Sequence, residues 1–168
     1  YVDDWVAGVF VFNCIERYAN GIVYEGQFLD ARQHGQGVMS HPDGYRYEGQ
    51  WEDGLRDGQG IATYADGTVY DGTFIAGQRA GQGRLNMTDG FTYVGEWDAG
   101  EIDGFGIATY SNGDVYEGDF VNGRRQGDGT MRYASGEVVR GTWENGLLAA
   151  GEAEGLPTPA ADPDTSEA

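Results

Sequence analysis

The sequence repeats itself every 23 residues, and a fixed period of that length settles architecture before local propensity does. Tyr-x-Gly-x-Phe/Trp recurs as Tyr24-Gly26-Phe28, Tyr47-Gly49-Trp51, Tyr70-Gly72-Phe74, Tyr93-Gly95-Trp97 and Tyr116-Gly118-Phe120, without insertion or deletion. A Gly-x-Gly follows each copy at constant distance, at Gly35/Gly37, Gly58/Gly60, Gly81/Gly83, Gly104/Gly106 and Gly127/Gly129. A turn dipeptide precedes each new copy: Asn20-Gly21, Asp43-Gly44, Asp66-Gly67, Asp89-Gly90, Asn112-Gly113 and Ser135-Gly136. Such pairs between alternating segments signal hairpins with type I′ turns, whose two central residues both need positive φ. Each repeat therefore predicts two strands.

Side chains alternate along a strand, so Tyr24, Gly26 and Phe28 share one face while Glu25 and Gln27 take the other. A glycine between two aromatics leaves a hollow over which a neighbouring ring can lie flat, and the Gly-x-Gly of the second strand is expected to give the Tyr and Trp of the first the same hollow. A further glycine, at Gly54, Gly77, Gly100, Gly123 and Gly146, predicts positive φ in the outer connection; Ala31 breaks that rule once. The fold class expected is all-β, an elongated single-layer antiparallel meander of about seven such hairpins, about 60 to 70 Å long at the usual strand spacing.

The ends are degenerate copies. Tyr1-Val2-Asp3-Asp4-Trp5 fits the frame with Asp3 in place of Gly, and Val139, Gly141 and Trp143 fit it with Val139 in place of Tyr. The repeat array is thus expected over 1–150, with 1–23 and 139–150 as degenerate end repeats, followed by an acidic, flexible tail over 151–168 that has no aromatic residue and no cation. The first repeat carries Phe12 and Cys14 where Gly-x-Gly is expected, beside the apolar run Val9-Phe10-Val11-Phe12. That run reads as a capping repeat with a locally filled core, or as an end that packs on preceding sequence or on a partner.

This pattern closely resembles the membrane occupation and recognition nexus (MORN) repeat, whose motif is Tyr-x-Gly-x-Trp/Phe, then Gly-x-x-x-Gly-x-Gly, then Asp/Asn-Gly. The resemblance covers most of the chain. It implies an antiparallel β-hairpin array of the kind found in scaffolds, in dimerising rods and beside catalytic domains, and in members proposed to bind phosphoinositides.

Charge narrows the functional classes. The net charge is −18, and all ten cations are Arg, so nothing resembles the basic footprint of a nucleic-acid binder. The longest near-continuous apolar stretch, Val9 to Phe12, is far short of the roughly 20 residues of a transmembrane helix. The chain opens on Tyr1 rather than Met, which reads as a processed or truncated N-terminus and leaves an exported location open.

Catalysis finds few groups to work with: His34 and His41 do not recur between repeats, Cys14 is alone, and no nucleophile motif is present, so a non-enzyme without cofactors is expected. Glu25, Glu48, Asp71 and Glu117 form a carboxylate column broken by Val94, but members about 10 Å apart cannot share an ion. Two interaction surfaces remain. The first is an aromatic face for a protein partner: Tyr24, Phe28, Tyr47, Trp51, Tyr70, Phe74, Tyr93, Trp97, Tyr116 and Phe120. A single-layer sheet has no second layer to cover them, and exposed aromatics anchor interfaces. The partner would be a second copy, forming a homodimer, or another protein. The second surface, for membrane contact, is a ridge of Arg32, Arg56, Arg79, Arg124 and Arg125 in the outer connections, diluted by Asp30, Glu52, Asp53, Asp57 and other acids.

Overall fold

The computed structural model describes residues 4–6 and 9–149; the proposed copy over 1–5 lies largely, and the acidic tail wholly, outside them. Every regular element described is a strand. They are β1 (Asp4–Val6), β2 (Val9–Arg17), β3 (Val23–Leu29), β4 (Arg32–Ser40), β5 (Arg46–Glu52), β6 (Leu55–Thr63), β7 (Val69–Ile75), β8 (Gln78–Asn86), β9 (Thr92–Asp98), β10 (Glu101–Thr109), β11 (Val115–Val121), β12 (Arg124–Arg132), β13 (Val138–Glu144) and β14 (Leu147–Leu148). They follow one another in chain order as an antiparallel meander, as the period predicts. The described residues divide into two compact units between Arg79 and Ala80, each built with the same devices.

The turns come in two kinds: the outer-connection glycines have the expected positive φ, while the type I′ turns stand at the opposite end from the one expected. The Asx-Gly dipeptides are not type I′ turns. At Asp43-Gly44 only the glycine has positive φ, Gly44 N–H donates to the His41 carbonyl at 3.1 Å, and the Asp43 carboxylate accepts the Tyr45 N–H at 2.9 Å. This is a tight turn closed by a left-handed glycine, with the Asx side chain holding the next residue. Type I′ turns stand instead in the outer connections, where Asp53-Gly54, Ala76-Gly77, Ala99-Gly100, Asn122-Gly123 and Asn145-Gly146 have positive φ at both residues. Asp30-Ala31 makes the same turn without glycine.

The two glycines of each Gly-x-Gly also divide the labour. Only the second makes the expected hollow: a Cβ on Gly37 would run into the ring of Tyr24. The first makes a bulge. Gly26 pairs with Gly37 and Phe28 with Gln33, so His34, Gly35 and Gln36 together oppose Gln27. The Gln27 amide oxygen fills the bulge and accepts the Gln36 N–H at 2.8 Å, as Gln50 does for Gln59 at 2.6 Å and Glu96 for Phe105 at 2.5 Å. Positive φ at Gly35 and Gly58 is what turns the chain through it. In the first repeat Phe12 and Cys14 stand where the two glycines would; β2 runs against β3 in unbroken register from Val11↔Leu29 to Arg17↔Val23, as β4 does against β5, and Phe12 stacks on Phe28 at 5.7 Å.

Candidate interaction surface

The aromatic stripe closes on itself. All five motif tyrosines are 0 % exposed, and Phe28, Trp51, Phe74, Trp97 and Phe120 are buried with them. Tyr24, Tyr47, Tyr93 and Tyr116 each stand edge-on between the aromatic of their own repeat and that of the next, and Tyr70 stands edge-on to Phe74. In the first unit Tyr24 contacts Phe28 and Trp51 at 4.9 and 5.3 Å, and Tyr47 contacts Trp51 and Phe74 at 5.1 Å each. In the second, Tyr93 meets Trp97 and Phe120, and Tyr116 meets Phe120 and Trp143. The polar ends are satisfied as well. Tyr24, Tyr47 and Tyr93 hydroxyls donate to the carbonyls three residues on, and Trp51 and Trp97 indole N–H groups donate to Gly37 and Gly83 carbonyls. The ten rings proposed as an open partner face are therefore the core of the sheet, because glycine hollows let a single layer bury them without a second.

The arginine ridge is likewise dismantled. Arg32 and Arg124 are exposed, Arg56 is half-buried, and Arg79 and Arg125 are buried at 3 % and 1 %. Arg32 pairs with Leu29 and Arg124 with Val121, whereas Arg56 and Arg125 stand one place further along, opposite Trp51 and Phe120. One residue in a strand exchanges the faces. The Arg125 guanidinium lies 5.1 Å from the Trp143 ring and 5.2 Å from that of Tyr110, and donates to the Gly146 carbonyl at 2.5 Å. Arg56 does the same against Phe74, at 5.2 Å, and the Gly77 carbonyl, at 2.6 Å. These arginines tie one turn to the next repeat by cation–π contact and hydrogen bond. Arg32 and Arg124 alone remain of the ridge.

The opposite face stays open. In the first unit cross-strand register sets Ile15, Glu25, Val38, Glu48, Ile61 and Asp71 side by side, so the carboxylate column is interleaved with aliphatics. In the second unit the equivalent row runs Arg84, Val94, Ile107, Glu117, Thr130 and Arg140. Ile15, Ile61, Val94, Phe105 and Ile107 are all at least 40 % exposed. Beside that second row lies a strip of bare backbone where Gly118, Gly129 and Gly141 pair in register, and the groove over it has a volume of about 610 Å³. No group of three or more His, Cys, Asp or Glu placed to hold a metal occurs among the described residues. His34 lies in the β4 bulge, and His41 stacks edge-on against Tyr45 at 5.0 Å. Of these open aliphatics only Val94 has a signal in the sequence, as the break in the carboxylate column.

A family model described as "MORN repeat" matches five consecutive segments, residues 24–44, 47–69, 70–92, 93–115 and 116–138. The chain belongs to the MORN repeat family. Each segment begins at the Tyr of the Tyr-x-Gly-x-Phe/Trp frame and ends in or shortly after the next Asx-Gly or Ser-Gly turn, so the matched unit is the hairpin with its bulge. No curated protein matches the sequence. Among solved structures the MORN array is similar in fold to the SAS-4 (dCPAP) TCP domain of Drosophila melanogaster, in complex with a proline-rich motif of Ana2 (dSTIL). The TM-score is 0.50 and the identity 17 %, over 84 % of this chain and 77 % of that one.

Proposed function

We propose that this MORN array is a non-catalytic scaffold over 1–150 that docks another protein on the face opposite its aromatic core. The observation that carries this reading is the division of the sheet. One face is filled by its own rings and arginines, while the other exposes aliphatic side chains, Ile61 and Ile107 among them, between carboxylates. Exposed apolar groups set among charge mark interaction surfaces. The TCP domain that shares the fold is itself held with a proline-rich motif, which accords with a sheet of this kind serving as a docking platform.

Anionic-lipid recognition is the competing reading, and the folding-in of Arg79 and Arg125 weighs against it. The test is affinity purification of the tagged native chain with mass spectrometry, run beside flotation with acidic liposomes. A stoichiometric protein partner that is lost with Ile61→Glu plus Ile107→Glu and kept with Arg32→Glu plus Arg124→Glu is the expected result. Recovery of the chain alone, with liposome binding that the arginine changes abolish, would overturn it.

A further inference from the structure

One repeat carries apolar residues on the open face at two positions that are polar in the others. The residue after the motif Tyr is Glu25, Glu48, Asp71 or Glu117 in four repeats and Val94 in the fourth along the chain. The residue between the two glycines is Gln36, Gln59, Gln82 or Asp128 in four repeats and Phe105 in that same one. Val94 pairs directly with Ile107, and Phe105 lies two residues before it on the same face of β10. The three are 48 %, 51 % and 40 % exposed, so they form one continuous apolar patch in which Val94 and Phe105 stand where the other repeats show polar groups. Glu96 hydrogen-bonds the Phe105 backbone, Asp119 pairs with Phe105, and Glu117 pairs with Ile107. Phe105 also lines the groove that continues over Gly118, Gly129 and Gly141, with Asp128 beside it.

Resting on the scaffold reading above, we infer that Val94, Phe105 and Ile107 are the anchor site for an extended peptide segment that alternates large apolar and basic residues. The apolar trio gives a desolvated seat for one or two side chains. Four carboxylates, Glu96, Glu117, Asp119 and Asp128, outnumber the two cations beside them, Arg84 opposite Val94 and Arg140 along the groove, so the rim is net negative and selects cationic neighbours, and the backbone floor of the groove leaves room for a second chain to lie flat. A second copy of this chain is disfavoured as occupant, because at net −18 it would bring carboxylates against carboxylates.

The test is fluorescence anisotropy of the full chain with a labelled synthetic peptide of alternating leucine and arginine, against leucine–glutamate and serine–arginine controls. The variant to compare is Val94→Glu with Phe105→Gln, which installs residues that other repeats already carry at these positions and so preserves the fold. The expected result is saturable binding of the leucine–arginine peptide above both controls, weakened by salt, and weakened about tenfold or more in the variant at unchanged melting temperature. Equal binding of serine–arginine, equal binding by the variant, or a dimer of the native chain that the variant dissociates would overturn the inference. Failure here leaves the scaffold reading standing, since that reading is scored on captured partners and on Ile61 as well.

Discussion

The ring of Tyr47 lies flat against Gly60, so close that a Cβ at that glycine would fall inside the ring's van der Waals surface, and its hydroxyl donates to the Gln50 carbonyl at 2.7 Å. Backbone and ring thus share the space a side chain would take. Gly60→Ala should cost about 1–3 kcal/mol in urea unfolding, the usual range for overpacking a filled core. In a double-mutant cycle with Tyr47→Ala most of that cost should vanish, since the alanine then has space; strict additivity would show that the glycine serves the backbone alone.

Arg124 and Arg125 are neighbours in sequence and opposites in structure. Arg124 is exposed, while Arg125 is folded between Tyr110 and Trp143. Arg124→Ala should leave the denaturation midpoint within about 0.5 kcal/mol of the native chain, as surface changes do. Arg125→Ala should cost several times more, because it empties an aromatic slot and frees the Gly146 carbonyl. Ile102 occupies the same repeat position, opposite Trp97, so Arg125→Ile should recover part of the loss by refilling the slot.

Alkali should melt this fold steeply. Burial pushes the Tyr47 phenol up to about 12 from an ordinary 10.0, and burial raises Tyr24 and Tyr93 as well. Above pH 10 the unfolded chain releases these protons while the folded chain keeps them, so the folded state binds more protons and stability falls as pH rises. The stabilisation is whole below pH 10 and is lost through about 12. Urea midpoints measured from pH 8 upward should fall sharply only past 10, and Tyr47→Phe should soften that fall at a cost in neutral stability.

The period, the two strands per repeat and the ring-over-glycine packing are legible in the sequence because each follows from alternation within a few residues. What is not legible depends on register or on distance along the chain. The Gln50 side chain that fills its bulge acts on Gln59 nine positions away, and no local rule marks Gly58 as a bulge rather than a hollow. Asx-Gly suits either turn chemistry, so the dipeptide at Asp43-Gly44 does not announce which. Arg32 and Arg56 differ by a single place in the repeat, which the sequence shows as a ragged column and the pairing resolves into opposite faces. The aromatic stripe misleads for a similar reason: counting layers predicts exposure, whereas the glycine rows let the rings sink to 0 %.

The outer turns offer a stabilising change that the protein supplies itself. Ala76 and Ala99 hold φ of 49° and 48° as the first residue of a type I′ turn, a left-handed conformation that costs an alanine about 1 kcal/mol. Asn122 and Asn145 stand at the same place in later repeats with φ of 49° and 50°, and asparagine tolerates that region best among residues with a side chain. Ala99→Asn should therefore raise stability by about 0.5–1 kcal/mol, and Ala99→Val, whose branched Cβ clashes there, should lower it by more than that. Thermal melts of the two variants decide the matter, because a turn whose φ sign did not matter would leave both at the native midpoint.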